Sequence, residues 1–153
     1  MKFIYEIPGS FWGLFRSVNR DIYMEALLTI DDEYQYNNFF LSREACVQIL
    51  ADMCVRRRFQ LEKEETETEE EALEAVPKRI LNWLLRAKWL RKIEDYTTMT
   101  TNIVIPDYAA VFIAAFEQLV NQPMEDTDIY IQNVYATLFS FKNDSRMNIA
   151  MLK

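Results

Sequence analysis

The stretch that decides the fold is PKRILNWLLRAKWLRKIEDYTTMTTNIVIPDYAAVFIAAFEQLV, residues 77–120. Pro77 suits the first turn of a helix, because its missing N–H would have no partner there. Apolar residues then recur at helical spacing as far as Leu90. A charged segment (91–96), a polar Thr-rich turn (97–102), a β-branched strand (103–105) and a helix starting near Asp107 follow. The order helix, strand, turn, strand, helix predicts the second half of a winged-helix domain.

Two further helices are predicted before this stretch. Asn19 is a candidate N-cap for a helix that buries an apolar stripe from Ile22 to Ile30, and Ser42 is a candidate N-cap for the next helix. The segment DDEYQYNNFF (31–40) between them is predicted to be a loop. The chain is therefore expected to be mainly α with a small β-hairpin wing. It divides into an aromatic-rich arm (1–18), a winged-helix domain (19–122) and a helical extension (123–153) that leads into a missing remainder of a longer chain.

Composition excludes several classes of protein. Only two of the 153 residues are glycine, so folds built on glycine-rich phosphate loops or many tight hairpins are disfavoured. No histidine is present, which removes Ser-His-Asp and Cys-His catalysis and histidine zinc sites. No P-loop motif occurs. We expect a protein that is not an enzyme, with no catalytic residue, cofactor, metal or small-molecule substrate; a carboxylate metal site at Asp31, Asp32 and Glu33 is the open alternative.

The two cysteines predict a reduced protein. Cys46 and Cys54 lie on one predicted helix about 12 Å apart at the helical rise, too far for a disulfide. The N-terminus does not resemble a signal peptide, and no apolar run approaches the ~20 residues needed to span a bilayer. The sequence predicts a cytoplasmic protein with no membrane contact.

The net charge of −7 is unevenly distributed. Residues 62–74 carry eight glutamates, predicted to be a solvated loop or helix start. The following helix places basic and polar side chains within one arc, and two more basic residues lie at the base of the wing. Together they form a candidate DNA-contact strip: Lys78, Arg79, Asn82, Arg86, Arg91 and Lys92. About four phosphate contacts would give a log–log salt slope of about −3.6; the competing interpretation is that the strip balances the neighbouring glutamates.

Aromatic and apolar side chains supply a second candidate surface. The arm must pack on its own domain or on a partner, and the predicted last helix carries a similar apolar stripe. We expect these residues to form a dimer or partner interface: Phe3, Tyr5, Phe11, Trp12, Phe15, Tyr130, Val134, Leu138 and Phe141.

Three motifs give the chain a family resemblance. FWGLFRSVNRDIY carries Leu14, Phe15, Arg16, Asn19, Arg20 and Tyr23; FLSRE covers 40–44; WLRKIEDYTTMTTNIVIPDYA covers the wing. These segments resemble the N-terminal region of JetA of the Wadjet bacterial defence system. The resemblance implies a kleisin similar to MukF, in which an N-terminal winged helix dimerises and engages an SMC-type ATPase.

The implied partners are a second copy, the SMC-type subunit and a small MukE-like winged-helix subunit. The implied role is part of an assembly that entraps DNA and restricts plasmids. The alternative is a winged-helix transcription regulator that reads DNA through Arg79 and Arg86.

Overall fold

The computed structural model describes residues 6–121. A 3-10 helix, Gly9–Arg16, leads into helix α1, Arg20–Tyr36. Strand β1 is Leu41–Ser42, helix α2 is Arg43–Arg56, and α3 is a single helical turn, Glu69–Ala72. Helix α4 is Val76–Arg86, strands β2 and β3 are Arg91–Asp95 and Thr100–Val104, and helix α5 is Asp107–Val120. By contacts the chain divides into two units, Met1–Ile113 and Ala114–Lys153.

The predicted mainly α fold with a small hairpin wing is confirmed. β2 and β3 form an antiparallel hairpin, with Lys92 opposite Ile103 and Asp95 opposite Thr100. β1, which was not predicted, pairs antiparallel with β3, so the sheet order is β1-β3-β2. A strand of two residues carries no period-2 pattern, and only its pairing with β3 reveals it.

The core of the first unit forms where α1, α2 and α4 meet under the sheet. Helical spacing supplies its inward side chains, and the fully buried ones include Tyr23, Leu27, Ile30, Leu50, Ile80, Leu84, Trp89 and Leu90. Both predicted caps stand at the N-cap positions, but only Ser42 makes a capping hydrogen bond; the Asn19 side chain makes none. The Ser42 hydroxyl accepts a hydrogen bond from the Ala45 N–H at 3.1 Å, and Asn19 precedes α1.

Two helix boundaries differ from the prediction. α1 continues through Asp31 to Tyr36, so the loop predicted from residue 31 is wrong in its first six positions. α4 ends at Arg86 instead of near Leu90.

Both of these helices end in the same way. Lys88 has φ 69°, and the N–H groups of Trp89 and Lys88 return to the carbonyls of Leu84 and Leu85. Asn38 has φ 57° at the end of α1, with the equivalent bonds from Phe39 and Asn38. These are Schellman caps built without glycine, which the left-handed position normally favours.

In the part of the chain that the structure describes, no helix is long and apolar enough to cross a membrane.

Candidate interaction surfaces

The candidate DNA-contact strip is not a continuous exposed surface. Lys78 is exposed at the start of α4, and Arg91 and Lys92 are exposed on β2. Asn82 and Arg86 are half-buried. Arg79 is only 8% exposed. Its expected position on an exposed strip is therefore wrong, because residues 61–67 contact its guanidinium and shield it from solvent.

Arg79 is held by a carboxylate from the Glu-rich segment. Its Nε and Nη2 donate to the two carboxylate oxygens of Glu67 at 2.9 and 3.0 Å. This forked geometry is the strongest form of arginine–carboxylate contact. Glu67 is equally buried and also accepts the backbone N–H of Glu64 at 2.8 Å. Hydrogen bonding from Arg79 lowers the pKa of the Glu67 carboxyl, and hydrogen bonding to Glu67 raises the pKa of Arg79.

Residues 61–67 are fixed to the domain by more than this ion pair, and we call them the acidic strap. The Asn19 side chain donates to the Glu62 carbonyl at 2.8 Å and accepts the Glu62 N–H at 3.0 Å. The Ser17 and Tyr23 hydroxyls both donate to the Glu64 carboxylate, at 2.9 and 3.1 Å. The strap is thus an ordered part of the fold, whereas the sequence suggested a solvated segment.

Arg86 is also engaged by the glutamate-rich region. Its guanidinium forms an ion pair with Glu71 and donates to the Thr66 hydroxyl at 3.2 Å. Glu71 is fixed by a capping box in which Thr68 and Glu71 bond each other's backbone N–H groups. The competing interpretation, that the basic residues balance the nearby glutamates, therefore describes Arg79 and Arg86.

Tyr23 connects the strap to the core. Its ring stacks on Trp83 of α4 at 4.1 Å between centroids. Burial, followed by the nearby Glu64 charge, raises the pKa of the Tyr23 hydroxyl well above its usual range. The hydroxyl therefore stays protonated and donates to Glu64.

The described part of the aromatic arm packs on its own domain. Phe11 is fully buried and stacks on Trp89 at 3.8 Å, and the Trp89 indole N–H donates to the Phe11 carbonyl at 2.8 Å. Phe112 meets Phe11 edge-to-face at 5.2 Å. Phe11 is consequently a core residue and not an interface residue. Trp12 is 38% exposed, and Phe15 is half-buried beside Trp89.

The other residues expected at an interface are Phe3, Tyr5, Tyr130, Val134, Leu138 and Phe141, and all lie outside the described residues. The described surface has apolar side chains elsewhere, at the α1–β1 turn and on the wing: Tyr36, Phe39, Phe40, Ile93, Tyr96 and Met99. The sequence did not single these out, because isolated apolar residues in short loops and strands do not show on which side they lie.

Metal and thiol chemistry gain no support from the geometry. Within residues 6–121 no group of three His, Cys, Asp or Glu side chains is placed to hold a metal ion. Asp31, from the alternative carboxylate site, is buried and accepts a hydrogen bond from Gln35 at 2.7 Å. Cys46 and Cys54 are both free thiols, and burial raises the pKa of Cys46 to about 12.

A surface groove of about 550 Å³ lies between the arm and the strap. Its lining includes Arg16, Lys63, Glu64, Glu65 and Arg86. Both signs of charge are present in this lining, so the groove offers no concentrated field for an anion or a cation.

The sequence left the most constrained charged residue unrecognised. Glu67 is one of eight glutamates in a run of thirteen residues, and nothing in its sequence neighbourhood distinguishes it from Glu65 or Glu69. Asn19 carried a weak signal, since it was the candidate N-cap of α1, but that signal did not indicate a contact with Glu62, forty-three positions away.

Comparison with known proteins gives one family. No curated protein and no solved structure matches the chain. The family model of the Wadjet protein JetA matches residues 29–153, which include the FLSRE segment and the whole wing. Since the match covers most of the chain, this protein belongs to the JetA family of Wadjet proteins.

Proposed function

We propose that the chain is a non-catalytic subunit-interaction and dimerisation module of a kleisin-like Wadjet subunit. In this role it associates with a second copy, an SMC-type ATPase and a small MukE-like winged-helix subunit in the cytoplasm. DNA is entrapped by the assembled complex. Membership of the JetA family supports a place in a multi-subunit assembly.

The observation that carries the proposal is the occupation of Arg79 and Arg86 by glutamates of the same chain. A helix that reads DNA must present cationic and amide side chains to the groove. Here the Arg79 guanidinium is buried against Glu67, and Arg86 is paired with Glu71. Carboxylates beside α4 would also repel phosphates. These contacts favour a scaffold over a DNA reader.

The first experiment is co-purification. The tagged chain is expressed with the SMC-type and small winged-helix subunits of the same Wadjet system, and we expect a stable complex on size-exclusion chromatography. Failure to recover either subunit over micromolar concentrations would contradict the proposal.

The second experiment addresses the regulator alternative. Duplex DNA binding is measured by fluorescence anisotropy between 50 and 200 mM salt, an interval over which the strip's four or so phosphate contacts would cost roughly 10²-fold in affinity. We expect weak binding that Arg86→Ala changes no more than Arg58→Ala, which removes an exposed arginine that is not part of α4. Nanomolar binding to one sequence, lost selectively in Arg86→Ala, would establish the regulator instead.

A further inference from the structure

Strand β2 forms an edge of the sheet and has an unusual order of charges. The sheet order β1-β3-β2 leaves one side of β2 without a strand partner among residues 6–121. Its sequence is Arg91-Lys92-Ile93-Glu94-Asp95, two cations, one apolar residue and two anions. The first four side chains are exposed, and Ile93 keeps 52% of its surface accessible. An exposed edge of this kind is a template for strand addition.

This order is complementary to itself when two copies run antiparallel. With Ile93 opposite Ile93 of the second copy, Arg91 lies opposite Asp95 and Lys92 opposite Glu94, and symmetry repeats both pairs. Directly opposite residues share a face and interact, so four opposite-charge pairs and one apolar pair result. An antiparallel pair of identical strands also satisfies the two-fold symmetry of a closed dimer.

The charges select this single register. Sliding the second strand by two residues places Lys92 opposite its own copy in one direction and Glu94 opposite its own copy in the other. A parallel in-register pairing opposes like charges at all four positions. Charged residues on an edge usually prevent pairing. Here they disfavour these alternatives and leave the centred antiparallel pairing with four opposite-charge pairs.

None of the four charged side chains of β2 is used in an ion pair within the described residues. Lys92 and Glu94 take part in none of the ion pairs found within the described residues. The Arg91 Cζ atom lies over the Tyr108 ring at 5.7 Å from its centroid, a contact that leaves the charge of Arg91 without a carboxylate partner among the described ion pairs. The Asp95 carboxylate accepts from the N–H groups of Thr97 and Thr98 through one oxygen, and these contacts come from neutral groups that do not neutralise its charge.

We infer that the β2 edge is the dimerisation surface of this chain, where two copies join their wings into one continuous six-stranded sheet in the order β1-β3-β2-β2-β3-β1. The inference rests on the proposed function and deepens it by naming the surface and register of the second copy. It departs from the surface expected from sequence, which was the arm and the last helix.

A charge-swap pair tests the inference. In a dimer of the Lys92→Glu variant, glutamate faces glutamate at two places. In a dimer of the Glu94→Lys variant, lysine faces lysine at two places. We expect each variant alone to dimerise at least about tenfold more weakly than wild type in sedimentation velocity, because like charges directly opposite destabilise a strand pair. In an equimolar mixture, one copy of each variant restores Glu–Lys pairing at both positions. A heterodimer should therefore form about as tightly as the wild-type dimer.

The matched control is Lys78→Glu, which changes the charge equally at an exposed lysine on α4. It should dimerise as wild type does. Wild-type dimerisation that neither swap weakens, or a mixture that stays monomeric, would overturn the inference while leaving a dimeric module intact. A strictly monomeric wild-type chain would also overturn it, whereas co-purification with the SMC-type subunit reports on the proposed function separately.

Discussion

The face of α4 and the edge of β2 both carry basic residues, yet they use these charges differently. On α4, Arg79 is buried and saturated by Glu67, with further contacts to the carbonyls of Leu61 and Glu62. On β2, Arg91 and Lys92 are exposed, and Lys92 has no described ion partner. The difference teaches that a basic residue marks a binding surface only when the fold leaves it unpaired.

The physical reason lies in desolvation. A buried guanidinium must be matched by a carboxylate with good geometry, because an unpaired charge in the interior costs several kcal/mol. An exposed lysine keeps its water and gains little from any single partner. The α4 pair therefore serves the domain's own stability, while the β2 charges remain available to a partner. Four predictions test this contrast.

Removing Glu67 should have the largest effect. Glu67→Ala leaves the buried Arg79 charge without its carboxylate and should lower the free energy of unfolding by ~3–5 kcal/mol. Urea denaturation of the purified chain measures it. Glu69→Ala is the matched control, since the exposed Glu69–Lys63 pair contributes at most about 1 kcal/mol. A loss below about 1 kcal/mol in Glu67→Ala would show that Arg79 is well solvated without Glu67.

Acid should weaken the same contact. The pKa of Glu67 in the folded protein lies below its value in the unfolded chain. The stabilisation is therefore present above the unfolded pKa of about 4.3 and is lost as the pH falls through the folded pKa. Between pH 7 and pH 3 we expect wild type to lose stability more steeply than Glu67→Gln. Glu69→Gln is the control and should follow the wild-type profile of stability against pH. If the Glu67→Gln profile also runs parallel to that of wild type, protonation of Glu67 does not contribute to the acid sensitivity of the fold.

The turn that joins the two regions should tolerate glycine better than lysine. Lys88 has φ 69°, a left-handed conformation that costs an L-residue about 1–2 kcal/mol, part of which the greater chain entropy of glycine offsets. Lys88→Gly should therefore raise the free energy of unfolding by about 0.5–1 kcal/mol. Lys88→Ala is the control and should give no such gain. Thermal unfolding of both variants decides, and a destabilised glycine variant would contradict the Schellman cap.

The wing charges should matter least for stability. Lys92→Glu lies on an exposed edge and should change the free energy of unfolding of the monomer by no more than about 0.5 kcal/mol. Urea denaturation at a protein concentration well below the dimer dissociation constant measures this change. A loss comparable with that of Glu67→Ala would mean that Lys92 has an internal partner and would remove the contrast between the two regions.

Much of the fold could be predicted from the sequence. Pro77, Ser42 and the helical spacing of Leu27, Ile30 and Leu50 depend on local geometry and placed three helices, while the Thr-rich turn and the β-branched run 103–105 placed the wing. The two wrong predictions concern where helices end. α1 continues past Asp31, and α4 ends at Arg86, followed by Lys88 in a left-handed conformation. Without glycine at either end, the usual stop signal was absent.

The candidate site was less predictable. Sequence analysis identified the six basic and polar residues of the candidate strip. A helical projection, however, takes the polar arc to face solvent and cannot show that another segment covers it. Phe11 was assigned to an interface for the same reason, because an arm with no regular pattern does not show what it covers. Lys92 was included in the candidate DNA-contact strip, whereas Glu94, which faces it in the inferred strand pairing, was not singled out.

The sequence by itself determined the helical class, the hairpin wing, the absence of histidine chemistry and the resemblance to the JetA family, which the family match confirms. These depend on residue type and on spacings of two to four positions. Only the tertiary structure decided which charged side chains form ion pairs within the domain. Glu67 and Arg79 are twelve positions apart, and Asn19 and Glu62 forty-three. Contacts at such separations depend on how the chain returns on itself, and no local pattern encodes them.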